Sequence, residues 1–409
     1  MRIAIITFFY KPAGGGIPTY VDSISKKLAD MGHKVDIITA SYNGQKIERD
    51  GKITTYRLPC MNIIGKKMHE NKKGSHELLD FLRNYAKRNP DIFLVQNTHA
   101  AISAMGHSLS INMAALENNI PMILTVHAFL DDNEYTHLKL GMIKNMHWNK
   151  IISVGSNLAQ DLFNRGIESE SLEIIPPPVD TERFHNKLSK KWLRSRINVG
   201  DNETLLIHAS RIDSDKVAVD KGVYTLLKAF SLLKSDNIKL LIACAPTVPL
   251  NQRRKEETIG KLKETCKLLK VGNQVIFETF EPQDMHHVYS GGDLFVMASK
   301  NESFGLVYAE ALACGIPVIG TSVGGIPEIV DDGKSGHLVS PGQHVELAKT
   351  IKKMLRNRDL MRKRGLYGRK QIEDKINIEK VCKNLLGICE SVIKNNKKGS
   401  SFFNTLSNE

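Results

Sequence analysis

The chain has 409 residues and a formal net charge of +13, with 41% hydrophobic and 25% charged residues. This balance is typical of a folded protein and excludes a globally disordered chain, while the length favours two domains. Every apolar run is shorter than the roughly 18 residues that span a bilayer. The six cysteines are scattered without a C-x-x-C pair, which favours reduced intracellular thiols over a disulfide framework or a zinc site.

The chain opens with the apolar segment "RIAIIT" (2–7), which predicts a buried parallel strand. A signal peptide is the alternative, but a glycine-rich loop follows at once and the sequence has no small-residue cleavage site there. The next segment, 17–32, has apolar residues at helical spacing, with Pro18 near its start and Gly32 at its end. We therefore expect a strand, a loop and a helix in this order.

Segments of strand and helix type alternate along the rest of the chain. This alternation is the βαβ pattern of doubly wound parallel sheets, and it predicts an α/β fold. The strands are predicted at 2–7, 34–39, 91–96, 121–126, 150–154, 172–176, 204–210, 239–244, 274–279, 293–299, 317–322 and 337–340.

Three consecutive prolines and a polar, basic stretch interrupt the alternation before it restarts at residue 204. The sequence therefore predicts two Rossmann-like domains facing a cleft. We place the first domain at 1–178, with a C-terminal helix at 376–394 packing back on it. The second domain is placed at 179–375, and a flexible tail is expected at 395–409.

The stretch 302–330, "ESFGLVYAEALACGIPVIGTSVGGIPEIV", has two glutamates eight positions apart. Glu302 follows a predicted strand, Ser303 is the expected N-cap of a helix, and Glu310 lies two turns inside that helix. The amino end of a helix suits a diphosphate, and an acid on either side could bind hydroxyl groups. This pattern fits a nucleoside diphosphate sugar. From the spacing alone, two solvent-facing glutamates remain the simpler alternative.

The same stretch, followed by "DGKSGHLVSPG", closely resembles the donor-site signature of retaining glycosyltransferases of family 4, which have the GT-B fold. The resemblance covers nearly the whole chain in several ordered motifs. It implies that Glu310 binds the ribose and that Glu302 lies beside the donor sugar. It also implies that the backbone at Phe304, Gly305 and Leu306 meets the sugar and the diphosphate.

Two cations follow the first strand of the second domain. Arg211 comes directly after 204–210, and Lys221 with Gly222 opens the next helix. Fixed cations could neutralise the charge that builds on a departing diphosphate, and the resemblance assigns this role to Arg211 and Lys221. Their separation is longer than is usual in the family. Lys216 stands nearer to Arg211 but lacks the following glycine, so we prefer Lys221.

The loop between these cations contains Asp213 and Asp215 in a D-x-D arrangement, which could hold a divalent metal on a diphosphate. Such patterns are frequent by chance, and the fold in which this motif acts does not contain two Rossmann-like halves. We therefore predict a polar loop, no metal, and no cofactor beyond the nucleotide-sugar that serves as substrate.

The first domain contributes a glycine-rich loop and a histidine. The loop "YKPAGGGIPTYV" lacks the dinucleotide G-x-G-x-x-G spacing, and a plain tight turn is one interpretation. The resemblance implies that Gly15 and Gly16 meet the donor phosphates. His127 follows the strand 121–126, where a structural role is the alternative; the resemblance implies a contact with the donor sugar, which an imidazole could hydrogen-bond. His99 could line the acceptor side.

Together these observations predict a retaining glycosyltransferase that moves a sugar from a nucleotide-sugar, expected to be a UDP-sugar, to an acceptor hydroxyl. The acceptor is expected to be a carbohydrate, a lipid-linked sugar or a small molecule. A GT-B sugar-nucleotide epimerase and a non-catalytic nucleotide-sugar binding protein are the alternatives. An epimerase would turn over UDP-sugar without an acceptor, and a binding protein would release no diphosphate product.

The stretch 349–370 holds ten Lys/Arg against one Asp. A solvated helix face is the simplest interpretation, and attraction to anionic lipid headgroups is the second. Nucleic acid is not expected as a partner, because aromatic residues are not interleaved with the basic ones and no recognised binding motif occurs. We expect a cytoplasmic protein with peripheral contact at the inner membrane face.

Overall fold

The structure is a computed structural model of the chain. It describes all residues except 42, 64–70, 98–101, 131, 248–250 and 407–409, and it describes side chains up to residue 397. The chain divides into two compact units. The first unit comprises Met1–Tyr10, Tyr20–Pro176 and Glu379–Glu409, and the second comprises Lys11–Thr19 and Pro177–Ile378.

The strands of the first unit form one sheet. They are β1 (Arg2–Thr7), β2 (Lys34–Ala40), β3 (Lys46–Asp50), β4 (Ile53–Leu58), β5 (Ile92–Gln96), β6 (Met122–Val126), β7 (Lys150–Ser153) and β8 (Leu172–Ile174). Their order is β3-β4-β2-β1-β5-β6-β7-β8. Neighbouring strands are parallel except for β3 and β4, which form an antiparallel hairpin. Neither β3 nor β4 was predicted: the residues of β3, KIERD, are charged and largely exposed, and those of β4, ITTYRL, are not a continuous apolar run.

The strands of the second unit form a separate, fully parallel sheet. They are β9 (Thr204–Ser210), β10 (Ile238–Cys244), β11 (Val275–Thr279), β12 (Leu294–Val296), β13 (Val318–Thr321) and β14 (Gly336–Val339). Their order is β11-β10-β9-β12-β13-β14. The chain winds outward first from β9 to β10 and β11, and then from β12 to β14. Between β9 and β12 the direction of winding changes, and such a switch point leaves a crevice at the carboxyl ends of the strands.

The α-helices follow the strands in alternation. They are α1 (Gly16–Asp30), α2 (Lys72–Ala86), α3 (Met105–Glu117), α4 (Thr136–Lys144), α5 (Ser156–Asn164), α6 (Lys191–Arg196), α7 (Asp215–Asp220), α8 (Val223–Ser231), α9 (Gln252–Leu268), α10 (Met285–Gly291), α11 (Leu306–Ala313), α12 (Ile326–Ile329), α13 (His344–Leu355), α14 (Arg358–Ile376) and α15 (Ile378–Leu406). No helix in the described part of the chain combines the length and the hydropathy that crossing a bilayer requires.

The central strands are buried on both faces, as their continuous apolar sequences predict. In β1, Ile3, Ile5 and Ile6 are fully buried, and in β9 the same holds for Leu205 and Ile207. Burying one such side chain stabilises the fold by about 1.5–3 kcal/mol relative to leaving it in water. Because both faces are covered, the side chains of the central strands are not available to a ligand, and candidate binding residues lie in the loops and helices that follow the strands.

The chain leaves the first unit after Pro176 and returns to it at Glu379. The two crossing segments are joined inside the second unit. Val179 donates its N–H to the Ile376 carbonyl, and Ile378 donates its N–H to the Val179 carbonyl, at 2.9 and 3.0 Å. The final helix then belongs to the first unit. That helix continues to Leu406 without a proline, so residues 395–406, which we expected in a flexible tail, are helical.

Helix α14 packs closely against the end of α11 through glycines. A Cβ atom on Gly365 would lie 1.9 Å from the Gly315 carbonyl oxygen, and one on Gly368 would lie 2.4 Å from the Leu312 side chain. Such distances leave no room for a methyl group. The absence of side chains at these two positions therefore sets how closely α14 approaches α11.

We predict that Gly365→Ala lowers the thermal unfolding midpoint of the second unit by several degrees, because an added methyl group would force the two helices apart. Overpacking of this kind costs about 1–3 kcal/mol. Gly260→Ala on α9 is the matched control, since a Cβ there meets nothing within 4 Å. That substitution should raise stability by about 0.5–1 kcal/mol. Equal effects of both substitutions in differential scanning calorimetry would contradict the packing argument.

Candidate functional site

The predicted cation Lys221 and the predicted acid Glu302 meet at the switch point of the second sheet. The Lys221 Nζ lies 2.8 Å from Glu302 Oε2, and the two side chains are 26% and 15% exposed. Lys221 follows β9 by way of α7, and Glu302 follows the neighbouring strand β12. The pair is thus a partly buried contact between groups that are distant in sequence and adjacent at the sheet edge.

A glycine allows Lys221 to reach this position. Gly222 has φ +69° and is the N-cap residue of α8, and a Cβ atom there would lie 1.8 Å from the Ala298 carbonyl oxygen. The Asp220 carbonyl also accepts a hydrogen bond of 2.7 Å from the Lys300 N–H. Both contacts hold the start of α8 against the end of β12. Lys216 lies within α7 instead and has no ion pair with a described residue.

Arg211 lies directly after β9, as predicted, and is half-exposed. Its Nε is 3.2 Å from Asp213 Oδ2. The other acid of the D-x-D pattern, Asp215, accepts a hydrogen bond of 2.5 Å from the Tyr224 hydroxyl. Burial and this carboxylate raise the pKa of Tyr224 to about 12. Both acids therefore have side-chain partners, and the described residues contain no group of three or more metal-ligating side chains.

Helix α11 begins at Leu306, with Gly305 rather than Ser303 at its N-cap position. Gly305 has φ +98°, and no side chain caps the helix. The prediction of Ser303 as N-cap was therefore wrong, because the chain turns through the left-handed region two residues later. Within the described chain, the N–H groups of Phe304, Gly305 and Leu306 have no hydrogen-bond acceptor. These groups are oriented at a helix amino end, where an anion is favoured.

Two contacts fix the loop that carries these N–H groups. The Tyr308 hydroxyl donates a hydrogen bond of 2.8 Å to the carbonyl of Met297, the residue after β12, which ties α11 to the end of that strand. On the other side, a Cβ atom on Gly325 would lie 2.6 Å from the Ser303 carbonyl oxygen and 2.8 Å from the Phe304 Cα. The glycine pair at 324–325 therefore lets the next turn of the chain support this loop.

Glu310 is a buried carboxylate on α11. It is 7% exposed, and the Tyr289 hydroxyl donates a hydrogen bond of 2.8 Å to its Oε2. Burial raises the pKa of Glu310 to about 7, although the Tyr289 hydrogen bond and the positive charge of Arg183 both act to lower it. The solvent-facing alternative for this glutamate is therefore wrong. A carboxylate with this pKa changes its charge near neutral pH.

Tyr289 and Arg183 are site residues that the sequence analysis did not find. Tyr289 lies on α10, and Arg183 donates a hydrogen bond to the Pro282 carbonyl while its guanidinium lies 5.1 Å from the centre of the Phe184 ring. Neither residue belongs to a motif with a fixed spacing from Glu310. Only the fold brings the Tyr289 hydroxyl into contact with the carboxylate and the charge of Arg183 near enough to lower its pKa.

His127 follows β6 in the first unit, as predicted. The Nε2 of its ring lies 2.9 Å from Gln96 Oε1, and its backbone N–H donates a hydrogen bond of 3.0 Å to Asn97 Oδ1. Its ring packs edge-on against Tyr20, with ring centres 4.8 Å apart. These contacts orient the imidazole at the carboxyl end of the first sheet. His99, the expected acceptor-side histidine, lies outside the described residues.

The glycine-rich loop groups with the second unit through Lys11–Thr19. Gly15 has φ +126°, a conformation that side chains rarely adopt, and Gly16 is the first residue of α1. The close backbone approach within this unit occurs one residue earlier, because a Cβ on Gly14 would lie 2.9 Å from the Pro246 carbonyl oxygen. A contact of Gly15 and Gly16 with phosphates stays a prediction.

Two family models match consecutive parts of the chain. The model described as Glycosyl transferases group 1 matches residues 193–371, and the model described as Glycosyltransferase Family 4 matches residues 14–183. Together they cover most of both units. Both agree with the family that the sequence motifs resemble.

Curated relatives are moderately similar. The N-acetyl-alpha-D-glucosaminyl L-malate synthase of Bacillus anthracis is 26% identical over 290 residues, which cover 64% of this chain and 70% of the relative. The alpha-monoglucosyldiacylglycerol synthase of Streptococcus pneumoniae is 27% identical over 364 residues, covering 84% of this chain and 76% of the relative. Both names describe enzymes that join a sugar to another molecule.

Solved structures share the architecture at lower identity. Sucrose-phosphate synthase from Thermosynechococcus elongatus is 22% identical, with a TM-score of 0.81 over 96% of this chain and 99% of that chain. The Anabaena HepE protein in complex with UDP and glucose is 17% identical, with a TM-score of 0.76 over 96% and 100% of the two chains. These likenesses confirm the predicted GT-B fold.

We predict that the stability of a Glu310→Gln variant depends on pH differently from that of the unaltered protein. Because the folded pKa of about 7 exceeds the ordinary value of 4.5, the carboxyl stabilises the fold when protonated and loses this contribution as the pH rises through 7. The glutamine has no such loss. The variant should therefore gain up to about 3 kcal/mol relative to the unaltered protein between about pH 5 and pH 8.5.

Denaturant unfolding at both pH values measures this difference. Glu182→Gln, at an exposed carboxylate of the same unit, is the control for removing one negative charge. The difference in stability between the Glu310 variant and the unaltered protein should change with pH. If it does not, the buried carboxyl does not titrate as inferred.

Proposed function

Because the chain belongs to the group 1, family 4 glycosyltransferases and has the GT-B fold, we propose that it transfers a sugar from a UDP-sugar to an acceptor hydroxyl. The transfer is proposed to retain the configuration at the anomeric carbon. A transferase activity follows from the family, whereas the donor, the acceptor and the stereochemistry are the content of this proposal.

One arrangement carries the proposal. Glu302, the N–H groups from Phe304 to Leu306 and the carboxyl of Glu310 follow one another along the loop before α11 and along α11 itself. Lys221 joins them through its contact with Glu302. Glu310 lies four residues after the first helical residue, Leu306, which is about 6 Å along the axis of α11. A nucleotide-sugar fits this order of groups, because it carries hydroxyl groups at both ends and a diphosphate between them. The UDP found in the HepE structure is the reason for choosing uridine as the nucleoside.

Each residue has a distinct role in the proposal. Glu310 accepts hydrogen bonds from the ribose hydroxyls, and the N–H groups at the start of α11 bind the diphosphate. Arg211 and Lys221 offset the negative charge that develops on the leaving diphosphate. Glu302 binds hydroxyl groups of the donor sugar. These roles match the ones that the sequence motifs imply.

A front-face reaction fits the ion pair best. The acceptor hydroxyl oxygen bonds to the anomeric carbon on the face from which the bond to the phosphate oxygen breaks. The acceptor proton passes to the leaving phosphate oxygen, and UDP is released. Glu302 is engaged with Lys221 at 2.8 Å, which lowers its availability as a nucleophile. His127 is proposed to hydrogen-bond to the donor sugar, and Gly15 and Gly16 to approach its phosphates.

The acceptor is proposed only as a hydroxyl-bearing molecule. The relatives named above include a malate, a diacylglycerol and a phosphosugar enzyme, so the family does not select one acceptor class. A carbohydrate, a lipid-linked sugar and a small molecule all fit the proposed chemistry. Peripheral contact with an anionic membrane is a separate proposal, which concerns another face of the second unit.

The direct test is a screen of UDP-sugars against a mixed acceptor panel, with and without divalent metal. We expect that UDP is released only when an acceptor is present. We also expect nuclear magnetic resonance to show that the anomeric configuration of the product is the same as that of the donor. An inverted product would reject the retaining assignment. Interconversion of UDP-sugars without an acceptor would identify an epimerase, and binding without turnover of any donor would reject the transferase proposal.

We predict that Lys221→Met lowers the rate of transfer by about two to three orders of magnitude, because one fixed charge on the leaving diphosphate is lost. Lys216→Met is the matched control and should change the rate less than about threefold, since Lys216 lies on α7. Steady-state kinetics at saturating donor measure both. A larger loss at Lys216 than at Lys221 would overturn the assignment of the diphosphate cation.

A further inference from the structure

Helices α13 and α14 carry an excess of positive charge that the structure does not balance. Of the ten Lys/Arg in 349–370, Arg364 and Arg369 are engaged: they donate hydrogen bonds to the carbonyls of Gly333 and Ala313, and Arg369 also pairs with Glu373. The other eight are exposed and have no ion pair with a described residue. They are Lys349, Lys352, Lys353, Arg356, Arg358, Arg362, Lys363 and Lys370.

Helix α9 of the same unit shows what a solvated charged helix looks like here. It also contains many Lys and Arg residues, but Arg253 pairs with Glu257 at 2.9 Å and Lys267 pairs with Glu264 at 2.8 Å. Such pairs at helical spacing are the usual way to make a polar face soluble. Three exposed cations of α9, Arg254, Lys261 and Lys263, have no ion pair with a described residue, against eight in 349–370, so 349–370 exceeds this solvated helix in the number of its unpaired cations.

Large apolar side chains lie among these cations. Leu360, Leu366 and Tyr367 on α14 are 41%, 45% and 42% exposed. At 100° per residue, Leu360, Lys363, Tyr367 and Lys370 share the side of α14 that is opposite its buried residues. The buried side consists of Met361, Gly365, Gly368, Ile372 and Ile376. We call the exposed set, the eight unpaired cations with Leu360, Leu366 and Tyr367, the basic face.

We propose that the basic face docks onto the surface of an anionic lipid bilayer. Clustered lysines and arginines are attracted to anionic headgroups, and this attraction adds up over several residues. Exposed leucines beside them can enter the boundary between headgroups and acyl chains, which is the pattern of helices that lie in a membrane interface. On α14, exposed cations and exposed apolar side chains occupy the same side of the helix, and both favour a lipid surface as the occupant.

Nucleic acid fits the basic face less well. Phosphates would engage its cations, but the leucines would gain nothing from a sugar-phosphate backbone. The Tyr367 hydroxyl donates a hydrogen bond of 2.7 Å to Asp331 Oδ2, and Lys334 lies 6.0 Å from the ring centre. The ring is therefore not free to serve as a stacking platform for bases.

The inference goes beyond the proposed activity and does not depend on it. The opposite side of α14 packs against the end of α11, at Gly315 and Leu312, so docking would leave the loop before α11 uncovered. Donor binding can be measured separately from membrane binding. Failure of one proposal can therefore be distinguished from failure of the other.

The test is co-sedimentation of the full chain with vesicles of phosphatidylcholine alone or with about 30 mol% phosphatidylglycerol. We expect binding to the anionic vesicles only. A variant with Lys353→Gln, Arg362→Gln and Lys363→Gln should bind at least about tenfold more weakly. The matched control has Arg254→Gln, Lys261→Gln and Lys263→Gln on α9, which remove the same charges, and it should bind like the unaltered protein.

The apolar contribution is tested by Leu360→Ser, with Leu268→Ser on α9 as its control. Leu360→Ser should weaken binding to anionic vesicles at least about threefold, whereas Leu268→Ser should not change it. Circular dichroism and thermal unfolding establish that each variant is folded. Three results would overturn the proposal: no binding to anionic vesicles, equal loss in the two triple variants, or competition by duplex DNA that binds the chain more tightly than the vesicles do.

Discussion

The contact between Lys221 and Glu302 is the interaction on which the candidate site depends. It joins the segments that follow β9 and β12, the two strands at which the winding of the second sheet reverses. The contact requires Gly222, because any side chain there would collide with the Ala298 carbonyl. A partly buried cation held in this way keeps its position without the entropy loss that a free surface lysine would suffer on binding a ligand. The sheet topology therefore holds a cation against Glu302, two residues before the first of the N–H groups that lead into α11.

The second element of the site is the buried carboxyl of Glu310. Desolvation opposes its ionisation, and only the Tyr289 hydroxyl and the charge of Arg183 act in the other direction. The protein stabilises the charged carboxylate only in part. A ligand that donates hydrogen bonds to it would stabilise it further. Ribose hydroxyls are donors of this kind. Ionising Glu310 is thus costly for the protein alone, and the proposed ribose contact would offset this cost; perturbed carboxyls of this kind are frequent at functional sites.

The fold was predictable from the sequence to the extent that buried parallel strands have continuous apolar sequences. The charged strand β3 lacked this signal, and the cap of α11 was misassigned because the left-handed turn at Gly305 is not visible in a Ser-x-Gly pattern. Glu302 and Glu310 were identifiable by their spacing and the surrounding motif. Tyr289 and Arg183 were not, since their contacts depend on the positions of other chain segments in space. The sequence likewise does not show which cations of the basic face lack an ion pair, because that depends on which acidic side chains the fold places near them.

The most direct measurement is a crystal structure of the chain with UDP bound. The account predicts that the diphosphate accepts hydrogen bonds from the N–H groups of Phe304, Gly305 and Leu306, with Lys221 beside it. The ribose hydroxyls are predicted to lie within hydrogen-bond distance of the Glu310 carboxylate. A well-defined UDP molecule bound elsewhere, with the amino end of α11 and Glu310 unengaged, would contradict the account.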